Sequence, residues 1–152
     1  MEKKIISFFL DGKEVEAKEG TTILSVAEDH HIHIPTLCNH KALEPAGLCR
    51  LCTVRVSKGS WSRFVTSCNY PVWEGMVVET STEEVIEHRK MIMEFLLARC
   101  ANNEFVKGLA AQFGIEAPML EAKDDDCILC GLCVRMCERI GARAIDLSGR
   151  GT

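Results

Sequence analysis

Four cysteines near the end of the sequence, Cys127, Cys130, Cys133 and Cys137, are separated by two, two and three residues. One tight loop and one helical turn can converge soft thiolates at those intervals on a cubic inorganic core, and the run is the one that holds a [4Fe–4S] centre. Zinc sites more often use two separated pairs of ligands, and Gly131 inside the run lets the backbone come close to such a core. The residue after Cys137 is Glu138, where the usual run has proline.

A second set, Cys38, Cys49, Cys52 and Cys68, has ten, two and fifteen residues between successive members. A long loop delivers the first ligand, a tight turn from Gly47 to Cys52 delivers two, and Thr66-Ser67-Cys68 after a strand delivers the last. That arrangement suits a [2Fe–2S] rhomb, in which each iron takes two thiolates. Plant-type ferredoxins use four residues in the first gap, so this is a variant with a longer loop. Gly47 would let peptide N–H groups approach the sulfurs, and such bonds raise a reduction potential by stabilising the more negative reduced state.

The remaining candidates receive plainer readings. Cys100 lies at the end of an apolar helix, where a free thiol behaves as a small buried hydrophobe. His30, His31, His33 and His40 are assigned to the surface, the first two at a helix C-terminus where imidazolium is favoured. Arg50, between two ligands, either stabilises an added electron or is pinned to a backbone carbonyl; the sequence leaves both open. Asp124-Asp125-Asp126 reads as a solvated loop or a helix-capping stretch, and Met91 and Met93 as packing. No glycine-rich dinucleotide fingerprint, phosphate loop or nucleophile–base pairing is found, so hydride chemistry is expected elsewhere.

The elements that must position these thiols are legible in outline. Residues 4 to 18 read as two short strands around the turn at Asp11-Gly12, with Ile5, Phe8 and Leu10 on one side and Val15 in a polar second strand. Gly20-Thr21-Thr22 caps a short helix carrying Ile23, Leu24, Val26 and Ala27, which stops near His30 before Pro35. Thr53–Val56, Phe64–Thr66 and Met76–Thr80 look like strands. Ser81-Thr82-Glu83-Glu84 announces a helix to about Ala101, whose apolar residues spread wider than one stripe and predict cover on more than one side. A shorter helix from Phe105 to Phe113 ends at Gly114.

Composition bounds the function. The chain has 152 residues, 47% apolar and 26% charged, which is ordinary globular material, and a net charge of -4 gives no positive field for nucleic acid. No uncharged apolar run approaches the roughly 20 residues of a membrane span, and the first apolar stretch is too short for a signal peptide. A soluble, cytoplasmic location is therefore expected. There the nine cysteines, an odd number, are read as metal ligands rather than a disulfide framework.

Ile34-Pro35-Thr36-Leu37-Cys38, Gly47-Leu48-Cys49-Arg50-Leu51-Cys52-Thr53-Val54, Ser67-Cys68, Pro71, Glu74-Gly75-Met76 and Thr80 resemble the N-terminal region of the large iron–sulfur subunit of respiratory complex I. The same region occurs in the diaphorase iron–sulfur subunit of NAD-reducing hydrogenases, in iron-only hydrogenases and in NAD-dependent formate dehydrogenases. Arg89-Lys90 and the run from Cys127 to Arg135 extend the resemblance over nearly the whole chain. It implies a β-grasp ferredoxin domain, a helical linker and a ferredoxin-like cluster segment. Many relatives hold a further [4Fe–4S] cluster with one histidine and three cysteines after the long helix; here only Cys100 stands there, and that cluster is expected to be absent. Relatives also continue past Gly149-Arg150-Gly151 into a second four-cysteine run. Accordingly Cys137 closes its own cluster, or the fourth position is open or supplied otherwise, or the sequence is a shortened one.

The expected protein is α+β: residues 1–80 a β-grasp [2Fe–2S] domain, 81–123 a helical linker and 124–152 a [4Fe–4S] segment. Pieces this small usually need staples, so removing iron is expected to unfold it. The expected function is relay of single electrons between a flavin/NAD(P)H-binding subunit and a catalytic subunit, such as a hydrogenase or formate dehydrogenase, within a hetero-oligomer. A free diffusible ferredoxin and a zinc-stapled interaction module are the alternatives, distinguished by co-purification with a flavoprotein and by acid-labile sulfide.

Overall fold

A computed structural model describes residues 4–148. Five strands form one mixed sheet: β1 (Ile5–Leu10), β2 (Lys13–Lys18), β3 (Thr53–Lys58), β4 (Trp61–Thr66) and β5 (Val77–Glu79), in the order β2-β1-β5-β3-β4. The short β5 is central, parallel to β1 and antiparallel to β3. The first hairpin turns at Asp11 and Gly12, both at positive φ (49° and 79°), the geometry that a two-residue turn matched to strand twist requires.

Side-chain alternation along β1 buries Ile6, Phe8 and Leu10, whereas Ile5 is 53% exposed. The expectation that Ile5 shares a side with Phe8 and Leu10 is thus corrected: Phe8 lies three positions further on, an odd step in an element of period two. β3 and β4 are longer than expected and form a full hairpin through Gly59. Its outer half, with Ser57, Lys58, Ser62 and Arg63, carries no apolar alternation that would reveal a strand.

Helix α1 (Ile23–Asp29), capped by the Thr22 hydroxyl accepting from Ser25 N, ends at His30 as expected. It packs Ile23, Leu24, Val26 and Ala27 against Phe8, Leu10, Val54, Val56 and Val78 in the first core. Helix α2 (Glu83–Arg99), capped by Thr82, crosses the opposite face, where Arg55 bonds Glu84 and the Phe64 and His88 rings meet at a 45° tilt with centroids 4.2 Å apart. Two bonds from Thr80, backbone N and hydroxyl, to the Asp11 carboxylate lock the entry to α2 onto the first hairpin.

On α2 the buried positions Val85, Arg89, Met93 and Leu97 form one stripe at steps of four, joined by Ala98. In its second half the helix is covered on more than one side, as expected: Ile92 and Leu96 pack beside Met93 and Leu97 against the second core, and Ala98 is buried on a further side. Met91 and Phe95, by contrast, are 59% and 58% exposed, so Met91 does not pack as expected while Met93 is fully buried. Helix α3 (Glu104–Gln112), capped by Asn103, returns along α2, and Leu51, Met93, Leu97, Cys100, Val106, Ala110 and Ile115 make a second core. Cys100 is thus the small buried hydrophobe expected. An irregular segment leads to helix α4 (Leu132–Arg139), which contributes no buried residue.

Candidate metal centre

The turn bearing Cys49 and Cys52 lies where the two cores meet. Leu51 enters the second core with Cys49 packed beside it, while Cys52 and Cys68 belong to the first. Arg50 takes the left-handed conformation (φ 58°), and its carbonyl accepts from both Thr53 N (3.1 Å) and Thr53 Oγ1 (2.6 Å), which fixes the turn. The Arg50 side chain is exposed; it is the backbone that the turn uses. Gly47, at φ 62°, sits so close to its surroundings that a Cβ would lie 2.8 Å from Asn69 Nδ2. Its absence brings the Cys68 segment against the long loop.

All four thiols of this set are drawn together in two pairs. Cys38, Cys52 and Cys68 are buried and Cys49 half-buried. The Cys38 thiol is hydrogen-bonded to Cys49, and Cys68 to Cys52. Peptide N–H groups of Leu48 and Cys49 point at Cys38, the latter at 3.4 Å from Sγ, that of Leu51 at Cys49 and that of Gly47 at Cys68. The bond from Cys38 brings the Cys49 pKa down to about 5 against the opposing effect of burial, and the bond from Cys68 brings Cys52 down to about 6. The donors Cys38 and Cys68 are raised by the same bonds and then by burial. Binding a metal group through all four requires four thiolates, so the protons still held by Cys38 and Cys68 would leave as it binds.

Two buried polar groups stand beside this nest. The Ser67 hydroxyl faces Cys52 and helps to lower its pKa, and Arg89, only 6% exposed, donates from Nη2 to the Thr53 carbonyl at 2.8 Å but leaves Nε unpaired. Burial lowers the Arg89 pKa, opposed by the charges of Cys52 and Asp11. A buried cation with a spare N–H next to thiolate-forming cysteines fits an anionic, thiolate-bound group, and a two-iron cluster is such a group. Arg89 entered the sequence reading only as part of a resemblance. Its signal was an arginine falling on the buried i+4 stripe of an amphipathic helix.

In the other set, Cys133 and Cys137 lie on α4 and Cys127 and Cys130 on the segment before it. Cys127 is anchored at both sides: its N–H donates to Asp125 Oδ1 (2.9 Å) and its carbonyl accepts from Arg99 Nε (2.8 Å), while Arg99 also pairs with Asp125. Asp125 thus ties a loop turn and caps no helix, since α4 begins at Leu132 behind Gly131 with no side-chain cap bond; of the two readings of the aspartate stretch, the loop fits and the helix cap is corrected. Leu129 and Gly131 at φ 54° and 70° turn the chain into α4, and Ala144 N donates to Cys137 Sγ at 3.2 Å. Among the described residues no three His, Cys, Asp or Glu side chains are gathered as for a single metal ion. His30, His31, His33 and His40 are exposed.

A mixed sheet flanked by helices, with four cysteines at the junction of two cores, defines an iron–sulfur protein of the ferredoxin-like type. The chain belongs to the 2Fe-2S iron-sulfur cluster binding domain family, which matches residues 3–83. It is 32% identical, over 97% of its length, to the alpha subunit of NADPH-Fe(3+) oxidoreductase from Geobacter sulfurreducens, and spans 20% of that relative. It is 40% identical, over 61% of its length, to an NADH-quinone oxidoreductase subunit from Rickettsia bellii, of which it covers 13%. Among solved structures it is similar to a chain of an NAD+-reducing [NiFe]-hydrogenase in the H2-reduced state, with TM-score 0.81 and 29% identity over 96% of this chain and 71% of that one. The chain thus spans about a fifth of the length of the first of these curated relatives.

Proposed function

We propose that this chain relays single electrons through two iron–sulfur clusters, a [2Fe–2S] cluster held by Cys38, Cys49, Cys52 and Cys68 and a [4Fe–4S] cluster held by Cys127, Cys130, Cys133 and Cys137. In this reading residues 1–80 form a β-grasp domain, 81–123 a helical linker and 124–152 the four-iron segment. The observation that carries it is the pairing of thiols: Cys38 with Cys49 and Cys52 with Cys68, two ligands for each of two irons. When bound, such clusters take up and release one electron with little rearrangement.

The residues of the chain supply the rest. Peptide N–H groups from Gly47, Leu48, Cys49 and Leu51 face the sulfurs and favour added negative charge there. Arg89 places a buried positive charge beside Cys52. The electrons are exchanged with other subunits: a flavin/NAD(P)H-binding subunit on one side and a catalytic oxidoreductase subunit on the other, in a cytoplasmic hetero-oligomer. The names of the relatives, an NADPH-linked and an NADH-linked oxidoreductase and an NAD+-reducing hydrogenase, support that setting. No described helix is long and apolar enough to cross a membrane.

Iron and acid-labile sulfide analysis with electron paramagnetic resonance on anaerobically prepared protein tests this reading. The expected content is about six irons, divided between one two-iron and one four-iron signal, as those cluster types require. A colourless protein containing zinc and no sulfide would refute it.

A further inference from the structure

Helix α4 carries two of the four-iron cysteines yet fully buries none of its side chains, Leu132, Val134 and Met136 being only half-buried, so apolar packing holds it weakly. What reaches from it to the rest of the molecule is Arg135, midway between Cys133 and Cys137. Its Nη1 donates to the Cys38 carbonyl at 2.8 Å and its Nη2 to the Glu44 carbonyl, across 97 and 91 residues of sequence. Both acceptors lie in the irregular loop that delivers Cys38 to the other set of thiols. A planar guanidinium presents parallel donors in a fixed fork, so bonding two carbonyls of one loop defines distance and orientation together. At the start of the same helix, Gly131 meets the same loop: a Cβ there would lie 2.7 Å from Leu48 Cδ1.

We propose that Arg135 is a positioning residue that clamps the helix bearing Cys133 and Cys137 onto the loop bearing Cys38, and thereby sets the separation and electronic coupling of the two cluster sites. The coupling part rests on the two-cluster reading above; the clamp itself does not. The guanidinium also makes a short bonded path between the sites: from the α4 backbone through the side chain to the carbonyl of a cluster-bearing residue.

Hydrogen exchange and electron paramagnetic resonance on the whole chain test the two parts separately. In Arg135→Gln, exchange of the α4 amides should quicken about tenfold or more, the equivalent of losing at least one charge-assisted hydrogen bond. Arg135→Lys, with one point-like head in place of a fork, should fall between. Arg139→Gln, which removes an exposed arginine from the same helix, should leave exchange unchanged. In the fully reduced parent, the four-iron centre should speed spin relaxation of the two-iron signal; with iron content unchanged, Arg135→Gln should lose that enhancement. Unchanged α4 exchange in Arg135→Gln overturns the clamp. Unchanged relaxation with both centres present overturns the coupling. A parent with no four-iron signal overturns the cluster assignment and the coupling with it, while exchange still decides the clamp.

Discussion

Cys49 and Cys52 are two residues apart in sequence but partner different thiols, because the left-handed Arg50 turns the chain so that one faces Cys38 and the other Cys68. A hydroxyl is a hard, weak ligand where a thiolate is required. Cys49→Ser should therefore abolish the two-iron spectrum and spare the four-iron one, and Cys130→Ser should do the reverse, as followed by visible absorption and paramagnetic resonance. Cys100 differs from both sets: it is fully buried among Leu97, Val106 and Ala110, its pKa raised by burial and then by the nearby Asp125 charge. Cys100→Ala should leave both spectra intact. Cys100→Ser should also leave them intact but destabilise the fold by about 1–3 kcal/mol in denaturant titration, the penalty for burying an unpaired hydroxyl. The eight proposed ligands were legible from spacing alone, since thiols at these intervals have few other uses. Arg89 and Arg135 were not, because an arginine's role depends on what lies across the fold from it.

At the level of elements, the second core depends on one stripe of α2. Met93→Ala should cost about 2–5 kcal/mol, the range for deleting a buried large side chain, whereas Met91→Ala, on the exposed face, should stay within about 0.5 kcal/mol, both read from chemical denaturation. The sequence could not separate these two methionines, since the apolar residues of α2 are spread around the helix and only the partner surface selects the stripe that is buried. The loop entering the Cys49 turn makes a sharper test. Gly47→Ala forces a side chain into positive φ and to within 2.8 Å of Asn69 Nδ2, a strain of about 1–3 kcal/mol. Its expected effect is loss of occupancy of the two-iron site, measured as iron per chain, with the four-iron signal retained. The starts of α1 and α2 were readable, because Thr22 and Thr82 are caps whose side chains act within three residues, whereas the Asn103 cap of α3 went unread. The outer half of the β3–β4 hairpin was hidden, because an exposed strand has no apolar rhythm.

Across the molecule, the cysteines are placed where the sheet core, the helical core and the C-terminal segment meet. A metal-free chain would retain, beside Cys52, a buried guanidinium whose Nε has no partner in the low-dielectric interior. Extraction of iron under reducing conditions with a chelator should therefore loosen or unfold the N-terminal sheet region. Loss of protection at Val54, Val56 and Val78 in hydrogen exchange would report it, and full protection in iron-free protein would contradict it. The α+β class, the hairpin, the caps and the cysteine sets follow from short-range rules of turn geometry, capping and ligand spacing, each acting over a few residues of chain. The tertiary structure alone decided which thiols pair, which face of α2 is buried, and that Arg135 meets Cys38 and Arg89 meets Thr53. Those contacts join residues 36 to 97 positions apart, and only the folded packing of sheet, helices and loop brings such partners within bonding distance.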